Sequence, residues 1–282
     1  MSRIAYVNGR YLPFAQAAVA VEDRGFQFAD GVYEVCAVRD GRLIDEAPHL
    51  ARLERSLGEL RMRAPMGMRQ LGHVLRETVR LNRVRDGLVY AQISRGVARR
   101  DHGFPPAHVT PTLVVTARTL DIGRYAALAE DGVAVVTQPD MRWARCDIKS
   151  TGLLANVLAK QAAREAGAFE AWLVGDDGLV TEGASTTAWI VDEKGVLRTS
   201  ALGPAILPGV TRGEVVPFCR QLGVELQERA FSLDEVKKAR EAFISAATFG
   251  VLPVTKVDGT AIGDGKPGLI TVKIGKAYWS SR

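Results

Sequence analysis

Arg145-Cys146-Asp147-Ile148-Lys149-Ser150-Thr151-Gly152, read with Val180-Thr181-Glu182-Gly183-Ala184-Ser185-Thr186-Thr187, decides how this chain folds. Lys149 is the first lysine in the sequence; the 148 residues before it carry arginine only. Leu153 to Ala166 follows as a helix, with Leu153, Leu154, Val157 and Leu158 on one face. Ser150 or Thr151 stands where a side chain could cap that helix. Lys149 therefore ends an extended stretch just before a helix N-terminus. Glu182 precedes small and hydroxyl-bearing residues that suit the close approach of a flat ring. Taken singly, each has a plainer account. Most lysines are solvated, and a carboxylate before small residues is ordinarily a turn or a cap.

Working outward, the N-terminal half reads as strands broken by turns, with two helices. Ile4-Ala5-Tyr6-Val7 followed by Asn8-Gly9 opens a hairpin. Gly31 to Val38 alternates like a strand, and Asp40-Gly41 turns it back toward Leu43-Ile44. Pro48 opens a helix whose Leu50, Leu53, Leu57 and Leu60 form one seam, and Met68 to Leu81 is a second helix. Leu88 to Ser94 and Thr112 to Ala117 are strands. A polar connection near Arg118 to Arg124 marks a domain boundary. It gives a smaller α+β domain over 1–120 and a larger one over 121–282 that carries Lys149. In the second domain, Val133 to Val136, Ala171 to Val174, Ala188 to Val191 and Ala242 to Ala246 are strands. Thr211 to Leu222 and Leu269 to Trp279 are helices. No G-x-G-x-x-G and no long βαβ alternation occurs, so a dinucleotide-binding fold is excluded and two mixed α+β domains remain.

Composition is that of an ordinary soluble globular protein. With 47% hydrophobic and 24% charged residues over 282 positions, the chain can bury a sizeable core in one or two domains. No apolar run approaches the roughly 20 residues of a membrane span, and the first residues lack a signal-peptide pattern. Three cysteines without metal-ligand spacing argue against a disulfide framework and a metal site, and fit the cytoplasm. The net charge of +5 comes from scattered arginines mixed with acids, so nucleic acid is not an expected partner. Such a field draws small anionic ligands instead.

Three further patterns bear on chemistry. Leu207-Pro208-Gly209-Val210-Thr211-Arg212 is a loop entering a helix. Its N–H groups and threonine hydroxyl could bind phosphate, or Thr211 could be a plain cap. Arg52 lies off the leucine seam, where arginine is normally solvated, yet its fork suits phosphate oxygens. Arg100-Asp101-His102 sets two cationic or donor side chains two residues apart in a loop. They could clamp a carboxylate or simply face solvent.

An amine able to form a Schiff base and a carboxylate able to keep a ring nitrogen protonated are what pyridoxal 5'-phosphate (PLP) catalysis needs. These blocks, together and in order, resemble the fold-type IV PLP enzymes, and among them the D-amino-acid transaminases. The resemblance runs from Tyr6-Val7-Asn8-Gly9 through Asp30-Gly31-Val32-Tyr33-Glu34 to Pro253. Its most specific parts are Arg145 to Ser150, Leu154 to Lys160 and Thr181-Glu182-Gly183.

The resemblance implies a two-domain α+β fold with PLP between the domains. Lys149 would bind PLP as a Schiff base and move the substrate α-proton. Glu182 would pair with the pyridine nitrogen, and Arg52, Val210 and Thr211 would hold the phosphate. Tyr33 and Ser185 would lie against the cofactor, Tyr33 facing the substrate, with His49, Arg142 and Thr248 nearby. Arg100 and His102 would grip the substrate α-carboxylate from the neighbouring subunit of a homodimer. The implied reaction is ping-pong transamination between a D-amino acid such as D-alanine and a keto acid such as 2-oxoglutarate. Ala184 and Ala246-Ala247 depart from the hydroxyl-bearing residues typical of the family. Aminodeoxychorismate lyases, branched-chain L-transaminases and (R)-amine transaminases share this scaffold and stay open as alternatives, as does a PLP- or anion-binding protein without turnover.

Overall fold

A computed structural model describes residues 3–282. The chain forms two compact units. The first holds the residues up to Ile122 together with Ile148–Gly152; the second holds Gly123–Asp147 and Leu153–Arg282. The short stretch carrying Lys149 thus packs with the first unit, whereas the sequence reading assigned it to the second domain.

The first unit is built on six antiparallel strands. They are β1 (Ile4–Val7), β2 (Arg10–Pro13), β3 (Gly31–Arg39), β4 (Arg42–Leu43), β5 (Gly87–Ser94) and β6 (Thr112–Thr119), in the spatial order β2-β1-β6-β5-β3-β4. Two hairpins follow from turn chemistry. Asn8-Gly9 and Asp40-Gly41 both take positive φ at their two central residues, as two-residue turns between right-twisted strands require. Three helices accompany the sheet: α1 (Arg24–Phe28), α2 (Glu46–Glu59) and α3 (Met68–Leu81). Leu53 and Leu57 of α2 and Leu71, Leu75 and Val79 of α3 are buried in one cluster with Val32, Cys36, Val89 and Ile93 of the sheet. Each such side chain contributes about 1.5–3 kcal/mol on leaving water. The helix expected from Pro48 begins two residues earlier, with Pro48 in its first turn, where a missing N–H costs nothing.

The second unit holds one mixed sheet of ten strands. These are β7 (Val133–Pro139), β8 (Glu170–Val174), β9 (Leu179–Gly183), β10 (Thr187–Val191), β11 (Leu197–Thr199), β12 (Leu226–Glu228), β13 (Phe231–Ser232), β14 (Glu241–Ala246), β15 (Gly250–Val257) and β16 (Thr260–Ala261). The spatial order is β12-β11-β10-β14-β15-β7-β8-β9-β13, with β16 paired to β15. Its helices are α4 (Ile122–Asp131), α5 (Leu154–Glu165), α6 (Val210–Gln221), α7 (Leu233–Lys238) and α8 (Leu269–Ser280). Trp189 stacks on Phe243 at 5.2 Å and is buried with Val215 of α6 and Ile274 of α8.

Three local expectations give way. The polar connection near Arg118 to Arg124 leads straight into α4, whose Tyr125 and Leu128 pack on the second core. Neither Ser150 nor Thr151 caps α5. Leu153 is the cap residue, without a side-chain bond, and Thr151 Oγ1 donates to Ala29 O instead. Finally, α5 buries Ala159 and Ala163, while Leu154, Val157 and Leu158 are 74%, 58% and 53% exposed. Among the described residues no helix is long and apolar enough to cross a membrane.

Candidate active site

Backbone pairing fixes Lys149. Ser150 bridges Val32, the Tyr33 N–H donates to Lys149 O at 3.0 Å, and the Thr151 N–H donates to Gly31 O at 3.0 Å. Gly31 permits this crowding, since a Cβ there would lie 2.8 Å from Ile93 O. Alternation sends Ile148 into the core and Lys149 to the other side. The Lys149 N–H reaches the buried Ser56 Oγ of α2 at 3.4 Å. The side chain is the part left to move, and its Nζ rests 4.2 Å from the centroid of the Tyr33 ring. Tyr33 lies against Tyr90 at 5.6 Å, and the Tyr90 hydroxyl donates to Gln92 Oε1. Burial, then the neighbouring Tyr33, pushes the Tyr90 phenol up to about 12, so it stays neutral.

On the opposite face of β3, Glu34 is buried beneath α2. Its Oε1 accepts from Arg52 Nε at 2.7 Å, and its Oε2 from Arg52 Nη2 at 2.8 Å; His49 Nδ1 lies 2.8 Å from Oε2. Burial pushes the Glu34 carboxyl up. The charge and fork of Arg52, with His49, outweigh that and bring it down to about 2. The Arg52 side chain is only 9% exposed, because Glu34 draws it in from the solvated position expected off the leucine seam. No role was assigned to Glu34 from sequence. The available signal was its place between Val32 and Cys36 on an alternating strand, where an inward carboxylate must find a partner.

In the second unit, Glu182 near the end of β9 is buried. Arg142 Nη1 and the Leu207 N–H, the latter at 3.1 Å, both donate to its Oε1. The same guanidinium forks onto Asp140, with Nε to Oδ1 at 2.9 Å and Nη2 to Oδ2 at 2.7 Å, and reaches Ala205 O at 3.0 Å. Thr181 Oγ1 donates to Asp140 Oδ2 as well. Burial alone would lower the Arg142 pKa, but Asp140 and Glu182 outweigh it and raise it. Burial raises the Asp140 carboxyl, and Arg142 and Thr181 pull it back below its ordinary value. Arg142 is thus a clamp that sets the angle of Glu182, a role its sequence position alone did not show.

The turn after Glu182 is held from below. Ser185 is exposed and donates to the fully buried Glu170, whose Oε1 lies 3.2 Å from Lys160 Nζ. Asn156 Nδ2 donates to Ala184 O at 2.8 Å. Gly183 makes room for Thr186, since a Cβ would fall 2.1 Å from Thr186 Oγ1 and force one of them to shift. The buried Thr186 Oγ1 has no hydrogen-bond partner among the described residues. Thr211 Oγ1, 3% exposed in the first turn of α6, has none either. Gly209 supplies no side-chain cap there, so the first N–H groups of that turn are left, with the Thr211 hydroxyl, without a side-chain acceptor from the cap. Val210 is buried beside it, and Thr248 lies in the turn joining β14 to β15.

Arg100 and His102 lie on the connection between β5 and β6, both exposed. One aromatic platform serves them. Arg100 Cζ is 4.7 Å from the Phe28 centroid, and the His102 ring is 5.4 Å from it. The expected residues therefore collect as Lys149 with Tyr33, His49 with Arg52 around the unforeseen Glu34, Glu182 with Arg142, and Arg100 with His102. Ser185 turns to Glu170.

Residues 31–257 match the family model for amino-transferase class IV. A D-alanine aminotransferase of Bacillus licheniformis is 42% identical over 274 residues, covering 97% of this chain and 95% of that protein. One of Staphylococcus haemolyticus is 35% identical over 273 residues, with the same coverage. Among solved structures, the branched-chain amino acid aminotransferase of Escherichia coli superposes with a TM-score of 0.87 at 24% identity, covering 99% of this chain and 94% of that one; this likeness establishes the fold. This chain belongs to the class IV aminotransferases.

Proposed function

We propose that this chain transaminates D-amino acids such as D-alanine, with a keto acid such as 2-oxoglutarate as acceptor, in a PLP-dependent ping-pong reaction. The observation that carries the chemistry is Lys149, a single amine on a backbone fixed by strand pairing and aimed past Tyr33. The near full-length identity to D-alanine aminotransferases supports the choice of D-substrates.

The residues present fit PLP. The unpartnered Thr211 hydroxyl at a helix N-terminus suits a phosphate, and the buried Glu182 suits a cationic ring N–H. When bound, PLP supplies an aldehyde carbon that captures amines and a cationic ring that draws electrons from the substrate α-carbon. Lys149 Nζ would hold the cofactor at its aldehyde carbon and, once the substrate is bound, would take up and hand on the proton of the substrate α-carbon. Glu182, held at its angle by Arg142 and Leu207, keeps the proton on the pyridine nitrogen. Val210 and Thr211 would hold the phosphate through their N–H groups, and Arg52, its fork oriented by Glu34, would add charge. Tyr33 forms the wall that steers Lys149, and Arg100 and His102 clamp the substrate α-carboxylate.

The proposal includes a homodimer in which Arg100 and His102 serve the neighbouring subunit. Two features support it: the pair is exposed on its loop, and α5 presents an uncovered ridge of Leu154, Val157 and Leu158. Cytoplasmic location is supported by three free cysteines. In the PLP-loaded protein, Lys149→Ala should lower pyruvate release from D-alanine by at least about a thousandfold. Ordinary turnover in that variant would overturn the proposal.

A further inference from the structure

We infer that Asp30 is a positioning residue for substrate binding: through Arg24 and Arg95 it fixes the loop of Arg100 and His102 and so sets the affinity for the α-carboxylate. The inference rests on the proposed role of that pair. Asp30 Oδ2 accepts from both Arg24 Nε and Arg95 Nε at 2.8 Å, and Oδ1 accepts from Arg95 Nη2 at 2.9 Å. One carboxylate thus orients two guanidinium groups, and each holds a different part of the loop. Arg24, 3% exposed, donates from Nη1 to Asp101 O at 2.6 Å and from Nη2 to His102 O at 3.5 Å. Those carbonyls belong to the residues directly after Arg100. Arg95 Cζ lies 3.8 Å over the Phe104 ring, and its Nη2 also reaches Leu60 O at the end of α2.

The backbone reinforces the same hub. The Arg95 N–H donates to Asp30 O at 3.0 Å, and the Arg24 N–H to Gly96 O at 2.9 Å. Gly96 sits at φ +103°, with room for no Cβ, which would fall 2.2 Å from Thr110 O; the two ends of the loop are thereby brought together. Two guanidinium groups at so little exposure need a counter-charge. Asp30 is the carboxylate hydrogen-bonded to both. Without its charge Arg24 loses the carboxylate that orients its Nε, and its hold on the two loop carbonyls weakens. None of these groups belongs to the phosphate or ring-nitrogen sites, so the effect falls on the substrate and not on the cofactor.

The test uses the PLP-loaded full chain with Asp30→Asn, Arg24→Lys and Arg100→Leu. Arg24→Lys keeps a charge beside Asp30 but cannot fork onto two carbonyls. In Asp30→Asn the KM for D-alanine should rise about tenfold, the equivalent of about 1.4 kcal/mol, while kcat stays within about threefold. The dissociation constant of propionate, a carboxylate that cannot react, should rise by the same factor. PLP affinity should be unchanged. Arg24→Lys should show the same pattern and decides the matter alone if Asp30→Asn fails to fold. A raised KM in Arg100→Leu, with normal KM and propionate binding in the other two, would overturn the inference and leave the role of the pair standing. An unchanged KM in Arg100→Leu would overturn that role and the inference with it. Parallel loss of PLP and substrate affinity in Asp30→Asn and Arg24→Lys would mark a general structural role and overturn the inference as well.

Discussion

Replacing Glu34 with glutamine removes a buried charge while keeping its shape. Arg52 would lose its bidentate partner and His49 its carboxylate, in a place that solvent barely reaches. The Glu34 carboxyl falls from its ordinary 4.5 to about 2 on folding. At about 1.4 kcal/mol per pH unit, that drop is worth about 3 kcal/mol. The folded value is the depressed one. The contribution is therefore complete above about pH 4.5 and is lost as the pH falls through about 2. Urea unfolding followed by far-ultraviolet circular dichroism measures it. Tryptophan emission does not serve, because Trp143, Trp172, Trp189 and Trp279 all lie in the second unit. With a slope of about 2–3 kcal/mol per molar urea, the midpoint at pH 7 should drop by about 1 M. At pH 3 the gap between wild type and Glu34→Gln should shrink to about half. A gap of the same size at both pH values, or one below about 1 kcal/mol at pH 7, would refute the reasoning.

Thr211→Val should leave the cofactor-free protein no less stable, because the buried hydroxyl has no protein partner to lose. PLP affinity should fall about tenfold or more, as for a lost hydrogen bond to a charged group, read by fluorescence titration. Arg142→Lys offers one ammonium where a fork now joins Asp140 and Glu182. Its kcat with D-alanine should drop by about tenfold or more with PLP still bound; steady-state rates beside the cofactor absorbance check this. Val157→Glu, alone or with Leu158→Lys, charges the uncovered ridge of α5 and should shift the proposed dimer to monomer in sedimentation analysis.

The first unit was readable because its elements announce themselves locally. Asn8-Gly9 and Asp40-Gly41 name their turns, and the leucine seam of α2 names its buried face. In the second unit local patterning misleads. β15 contains Pro253 opposite Phe243, and a proline inside a run argues against a strand. The leucines of α5 mark the outward face because alanines fit closer against β8. Lys149 and Glu182, proposed to carry the chemistry, stand out in sequence, since their flanking residues are specific. The groups that hold the site in place do not. Glu34, Asp30 and Asp140 are ordinary charged residues along the chain, and they acquire meaning only when folding brings each within 3 Å of a guanidinium, that of Arg52, Arg24 or Arg142.

The most direct test mixes the PLP-loaded protein with D-alanine and, separately, with L-alanine, and follows the cofactor absorbance together with pyruvate. The account predicts that D-alanine alone converts the cofactor to its aminated form and releases pyruvate. Response to L-amino acids alone, or silence toward D-alanine, would contradict it.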